Sequence, residues 1–220
     1  MNYEYVKTFE FNFNFGTLLS VDFSSCCDTT DLNILTEEIF NEITDCVRNR
    51  GIPDMIWIKG IGYSIKYANS KQIIDMIKDT YPSQKVGVYL NCALFQEENL
   101  RKDFYGCDLV AINLNTVNVH SFSKINKCPN FIVALDVLEG IKDFRKNFTG
   151  NLGIYTMFLS GVNDNESEVE NLKVYLLELM PNHYSVSNYA INGFKPISEK
   201  FKKYLEETFR YVPFKVIYMF

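Results

Sequence analysis

Residues 85–114, KVGVYLNCALFQEENLRKDFYGCDLVAINL, decide how the chain is read. The runs VGVYL and LVAINL are short, continuous and apolar, and a polar stretch of helical length separates them. Strands that are apolar on both faces need cover on both, and two such strands joined through a helix run parallel. The sequence therefore predicts strand Lys85–Leu90, a helix over Gln96–Phe104 and strand Asp108–Leu114.

The same alternation extends both ways. Upstream, Leu18–Ser24 reads as a strand and Thr36–Arg48 as a helix with Ile39, Phe40, Ile43 and Val47 on one face. Asp54–Lys59 follows as a strand, then Ser70–Thr80 as a helix that ends before Pro82. Downstream come a helical stretch Phe131–Phe144, strand Leu152–Ser160 and helix Glu166–Met180. Asn165 precedes that helix as N-cap, with Glu168 in capping-box spacing. Strand His183–Ser187, helix Ser198–Phe209 and an apolar run Phe214–Phe220 close the chain. Six consecutive strand–helix units predict an α/β fold, either an open doubly wound sheet or a (β/α)6 partial barrel. A full eight-fold barrel takes about 250 residues; this chain has 220. No Pro/Gly/Ser-rich linker divides it, so one domain is expected over residues 1–220. Its parts are an N-terminal strand over 5–15, a core over 16–190 and a C-terminal helix and strand over 196–220.

Composition narrows the function. With 47% hydrophobic and 22% charged residues the chain is an ordinary globular one. Its net charge of −5 argues against nucleic acid as a partner, since wrapping a phosphate backbone needs clustered Lys and Arg. No apolar run is long enough to cross a membrane, and MNYEYVKTFEFNF lacks the basic and apolar blocks of a signal peptide. Six cysteines in a chain this long are expected as reduced thiols of a cytoplasmic protein.

Both architectures place function at the carboxyl ends of the strands. The rim candidates are Asp22, Lys59, Gly60, Gly62, Tyr63, Asn91, Asn113 and Asn115. Cys26, Cys27 and Cys92 fall at the same rim, where converging thiolates would bind zinc or an iron–sulfur cluster; buried packing is the competing reading. Lys59 offers a Schiff-base amine and Asp22 a base, against local ion pairing or capping. His120 and His183 match no metal-ligand spacing and read as structural. Asp136, Asp143, Asp164 and Glu168 read as solvated helix faces or caps. In FEFNFNF the phenylalanines Phe9, Phe11, Phe13 and Phe15 alternate with polar residues, which is the period of an extended strand. That strand, and KVIYMF at the end, would cover exposed sheet edges or pair with another chain.

From Asp54 onward the chain resembles the radical S-adenosylmethionine (radical SAM) superfamily. The resemblance rests on GIGYS at Gly60–Ser64, LNC at Leu90–Cys92, DLVAINLNT at Asp108–Thr116 and FSKINKC at Phe122–Cys128. VLEGIKDF at Val137–Phe144 and the GVND of Gly161–Asp164 continue it, and FGTLLSVD at Phe15–Asp22 is similar to the lead into the family's cluster loop. The resemblance implies a (β/α)6 partial barrel, and in a standard member a [4Fe–4S] cluster on C-x3-C-x2-C, with SAM chelated to it. Here the stretch after the first core strand is SSCCD, so the cluster loop reads as deleted. Tyr63 stands where the family's GSGEP turn carries the glutamate that receives the SAM amino group, Ser64 replaces the proline, and Cys92 replaces the glycine of TNG. Asn115 replaces the carboxylate of SLDA. The resemblance and its departures together imply a protein that keeps the scaffold without the chemistry. Neither metal nor SAM is expected as cofactor, and the expected partner is a peptide or protein, an active radical SAM enzyme among them. The alternative is an enzyme with a non-standard site on Cys26, Cys27 and Cys92.

Overall fold

The computed structural model describes residues 6–12, 16–22, 32–61, 66–126, 128, 130, 132–188 and 195–219. Eight strands are present among them: β1 (Val6–Asn12), β2 (Gly16–Asp22), β3 (Met55–Ile61), β4 (Lys85–Asn91), β5 (Leu109–Asn113), β6 (Asn151–Met157), β7 (His183–Ser187) and β8 (Lys215–Met219). The helices are α1 (Leu32–Arg50), α2 (Lys66–Thr80), α3 (Glu98–Lys102), α4 (Phe122–Asn126), α5 (Ala134–Asn147), α6 (Glu166–Leu179) and α7 (Glu199–Thr208). Hydrogen-bonded neighbours in the sheet follow chain order. The contacts divide the chain into two compact units, Met1–Asn91 with Asp103–Val110, and Cys92–Lys102 with Ala111–Phe220, so β5 contributes to each.

In the first unit β1 runs antiparallel to β2, while β2–β3 and β3–β4 are parallel. The FEFNFNF alternation thus finds its partner within the chain. The described part of the strand is Val6–Asn12; the rest of the expected 5–15 lies outside the described residues. β2 spans Gly16–Asp22 and so begins two residues ahead of the expected Leu18–Ser24, whose last two residues lie outside the described ones. The start of β2 is pinned to the start of β3: the Thr17 amide and hydroxyl donate to Asp54 Oδ2 at 2.8 and 2.7 Å, and the Asp54 amide donates back to Thr17 Oγ1 at 3.0 Å.

Helix α1 starts at Leu32, a turn before the apolar stripe, and buries Thr36, Ile39, Ile43 and Val47 at spacings of three and four residues. It packs on α2 and β1, and α2 packs on β3. Ile56 and Ile58 of β3 and Val86 and Val88 of β4 are fully buried together with Ile73 and Ile77 of α2. Burying each such side chain stabilises the fold by roughly 1.5–3 kcal/mol. Gly87 makes room for the ring of its cross-strand neighbour Trp57: a Cβ there would lie 2.4 Å from Trp57 Cε3. Asp108 ties three elements, accepting from Lys78 Nζ at 2.6 Å and from the Val86 amide at 2.8 Å, while its own amide donates to the Val86 carbonyl at 2.9 Å.

In the second unit β6–β7 and β7–β8 are parallel. The terminal apolar run is therefore a further parallel strand reached through α7. The expected helix over Gln96–Phe104 is instead a 3-10 turn, Cys92–Gln96, followed by the five-residue α3. Its shortness has a cause. Helix α5 presses on this turn so closely that a Cβ on Gly140 would fall 1.9 Å from the Phe95 carbonyl oxygen. The same carbonyl accepts from Arg101 Nη1 at 2.8 Å, Arg101 Nη2 reaches Asp143 at 3.2 Å, and the Phe95 and Phe144 rings meet edge to face at 5.2 Å. Gln96 Oε1 receives the Val133 amide at 2.6 Å, which sets the start of α5 at Ala134 rather than Phe131. Among the described residues no helix is long and apolar enough to cross a membrane.

The Gly140 contact yields a direct test. Gly140→Ala improves intrinsic helix propensity by about 1 kcal/mol, yet it drives a methyl group into a backbone carbonyl that cannot step aside. Urea unfolding is expected to show a net loss of about 1–3 kcal/mol at unchanged m-value.

Candidate functional site

In the first unit, Asp22 ends β2 and its register partner on β3 is Lys59, two residues before that strand ends at Ile61. The β3–β4 register slips between Ile58 and Ile61, at Lys59 and Gly60. Such irregularities re-aim side chains and are common beside functional sites. Lys59 is half-buried, on the same face of β3 as Trp57 by the period of two. Asn91 is the half-buried last residue of β4. Gly62, Tyr63, Cys26 and Cys27 lie outside the described residues. Helix α1 begins at Leu32, so residues 23–31 connect it to β2.

The second unit builds a cluster of side-chain amides and hydroxyls where β5 and β6 end. Asn115 Nδ2 donates to Asn113 Oδ1 at 3.1 Å, and Asn115 Oδ1 accepts the Met157 amide at 2.9 Å. A carboxylate at 115 could make the second bond and not the first. Two buried asparagines complete the frame. Asn163 Nδ2 donates to the carbonyls of Asn115 (2.8 Å) and Met157 (3.0 Å), and its Oδ1 accepts the Leu159 amide at 2.7 Å. Asn126 Oδ1 accepts the Asn115 amide at 2.6 Å, and its Nδ2 donates to the Thr116 carbonyl at 3.2 Å. Asn163 is 0% and Asn126 2% exposed, so every one of these groups would be stranded without its partner.

Glu168 corrects the reading of a solvated cap. It is 7% exposed. Its amide is capped by Asn165 Oδ1 at 3.1 Å as expected, but its carboxylate does not return to close a capping box. Glu168 Oε2 accepts the Thr116 hydroxyl and Oε1 the Ser121 hydroxyl, the latter at 3.3 Å. The loop after β5 is thereby tied to the first turn of α6. Sequence reasoning read Glu168 only as a cap or solvated face and assigned no buried clamp role to Asn126 or Asn163. The available signal was that the two asparagines are amides embedded in apolar company, in SKIN and GVND, where an unpaired amide would be costly.

Cys92, at the head of the turn after β4, is fully buried, with the Cys128 thiol as a neighbour. That neighbour and burial together hold the Cys92 thiol well above the usual range. Among the described residues no three His, Cys, Asp or Glu side chains converge as a metal site. His120 is exposed; His183, at the start of β7, is 6% exposed with its ring against Gly153 and edge-on to Tyr155 at 6.1 Å. Burial, then the charge of Lys215, lowers the His183 pKa. Asp136 is exposed, Asp143 pairs with Arg101, and Asp164 Oδ1 accepts the Gly161 amide at 2.6 Å.

Asn163→Asp would aim a carboxylate at two carbonyl oxygens. The variant is expected to lose about 1–3 kcal/mol at pH 7. Because the folded state raises that carboxyl's pKa, the loss should be small at pH 3 and grow as pH rises through the ordinary Asp range, read from urea midpoints. His183 behaves with the opposite slope. Its depressed pKa means that the unfolded chain takes up the proton first, so stability present above about pH 6.5 falls as pH drops below it. His183→Gln should flatten that part of the profile.

No family model matches the chain. It is similar to the UPF0026 protein of Methanocaldococcus jannaschii, 28% identical over 135 residues, which cover 61% of this chain and 40% of that protein. It is also similar to the UPF0026 protein of Helicobacter pylori strain 26695, 24% identical over 147 residues, 66% of this chain and 47% of the relative. The chain thus spans less than half the length of these curated relatives. Among solved structures, a radical SAM methyltransferase from Sphaerobacter thermophilus superposes with a TM-score of 0.67 at 14% identity, over 92% of this chain and 66% of that one. A domain of the pyruvate-formate lyase-activating enzyme from Bacteroides vulgatus gives 0.57 at 16% identity over 70% of this chain and 93% of that one. A radical SAM methyltransferase from Kitasatospora setae, solved with cobalamin and a [4Fe–4S] cluster, gives 0.51 at 11% identity over 69% of this chain and 28% of that one. The chain has an α/β fold shared with the partial barrels of radical SAM enzymes.

Proposed function

We propose that this chain is a radical-SAM-like module that does not carry out the standard reductive cleavage of SAM and acts by binding a peptide or protein partner. One observation supports this reading above the others. The six cysteines stand at 26, 27, 46, 92, 107 and 128, and no three of them follow C-x3-C-x2-C. Adjacent side chains such as Cys26 and Cys27 diverge, so they are a poor substitute for three thiolates on one iron cube; the residues present do not fit a standard cluster. The amides at 113 and 115 agree with this, since both are engaged with each other and with backbone rather than presenting a carboxylate. An active radical SAM enzyme is the partner the shared fold favours, in a reducing, cytoplasmic setting suited to unpaired thiols. The terminal strand β8, last in the strand order, would offer such a partner backbone to pair with.

The test is anaerobic reconstitution with iron and sulfide, followed by SAM and dithionite. The expected result is no 5′-deoxyadenosine above a protein-free control. A four-iron absorption spectrum that changes on adding SAM, with deoxyadenosine formed, overturns the reading. Affinity purification from the source cell is expected to retain a radical SAM enzyme at stoichiometric ratio.

A further inference from the structure

Strand β8 is last in the sheet, pairs with β7 in an unbroken parallel register and has no further strand on its other side among the described residues. Edges of this kind are usually blunted by charges, Pro or a bulge, because their backbone is open to pairing with another chain. In β8 the single charge is Lys215 at its start; Val216, Ile217, Tyr218 and Met219 follow, all half-buried. The Lys215 amide donates to the carbonyl of Asn182, the residue before β7, at 3.4 Å. Backbone direction alternates along a strand, so Lys215, Ile217 and Met219 bond toward β7, and the backbone of Val216 and Tyr218 turns to the outer edge. Tyr218 Oη donates to the Leu205 carbonyl at 3.3 Å, which holds α7 over the helix-side face of β8.

We propose that this edge pairs antiparallel with β8 of a second copy of the chain, about a two-fold axis at Ile217. That axis overlaps the whole strand, Lys215–Met219, with its counterpart. Val216 of one copy then faces Tyr218 of the other, and these outward-turned residues are the ones that exchange hydrogen bonds in an antiparallel ladder. Ile217 meets its own counterpart as a non-hydrogen-bonded pair, and the facing Val and Tyr form a β-branched–aromatic pair of the stabilising kind. Lys215 falls opposite Met219, so no like charges meet. Helix α7 adds a charge match. Tyr204 Oη reaches Glu170 of α6 at 3.2 Å, so the helical period turns Lys202 and Glu206 to the opposite flank. Within one copy Lys202 pairs with Glu199 at 2.6 Å. The two-fold sets both α7 helices on one face of the joined sheet and end for end, which brings Lys202 of each copy alongside Glu206 of the other. The inference rests on the proposed binding role only in taking β8 as a docking edge; any other partner that pairs there has to displace the second copy.

Sedimentation velocity of the reduced full chain over a concentration series is expected to show a reversible monomer–dimer equilibrium. Val216→Pro removes an outward amide and spares the bonds to β7. It is expected to keep the parent's far-UV circular dichroism and to raise the dimer dissociation constant about tenfold or more. Glu206→Lys is expected to weaken the dimer, and Lys202→Glu in the same chain to restore it. Under mild oxidation Ile217→Cys is expected to give a dimer that peptide mapping shows linked through the introduced thiols, because facing Cα atoms about 4.5 Å apart suit a disulfide. Val216→Cys, whose counterpart lies across the axis from residue 218, is expected to give far less. If Val216→Pro does not fold, the charge exchange and the cross-link decide. A chain that stays monomeric throughout the series, a folded Val216→Pro that dimerises like the parent, or cross-linking that favours Val216→Cys overturns the proposal. None of these measurements involves iron, SAM or a radical SAM enzyme, so deoxyadenosine formation would refute the role proposed above and leave this pairing standing.

Discussion

Asn163 carries no surface area, and its side chain joins three backbone segments: the chain leaving β5 at Asn115, the end of β6 at Met157 and the turn at Leu159. Strand ends that lead into loops leave carbonyls and amides without a sheet partner, and burying such groups unpaired costs about 1–3 kcal/mol each. One planar amide with two donors and an acceptor satisfies three of them at once. Asn126 satisfies two more from α4, and the Glu168 carboxylate receives the hydroxyls of the intervening loop. The second unit's strand-end geometry depends on this cluster, because apolar contacts alone do not fix where a loop's polar groups point.

The first unit solves the equivalent problem with charge. Asp54 takes two donors from Thr17, which lowers its pKa, and Asp108 joins Lys78 to the amide that begins β4. Both carboxylates sit at the amino ends of strands, opposite the rim where Asp22 and Lys59 stand in register. Stability devices at one end of the strands and diverging loops at the other is the division expected of parallel α/β folds.

The candidate positions changed meaning once they had neighbours. Asn115, which reads as a lost carboxylate, is a strand clamp that needs both the donor and the acceptor of an amide. Cys92, grouped by position with Cys26 and Cys27, has Cys128 as its thiol neighbour. A residue's chemistry depends on what its loop brings to it, and loops of several residues bring groups together that no spacing rule anticipates.

Apolar periodicity along the chain determined the α/β class, the succession of strands and helices and most helix faces. Those features follow from which residues must leave water, a property each short segment carries by itself. The boundaries moved where a distant contact intervened: α3 was cut short by Gly140 approaching Phe95, and β2 began early through Thr17 and Asp54. The buried roles of Asn126, Asn163 and Glu168, and the meeting of Cys92 with Cys128, were decided by tertiary structure alone. Contacts between residues ten to fifty positions apart leave no local period in the sequence, so only the folded chain could pair them.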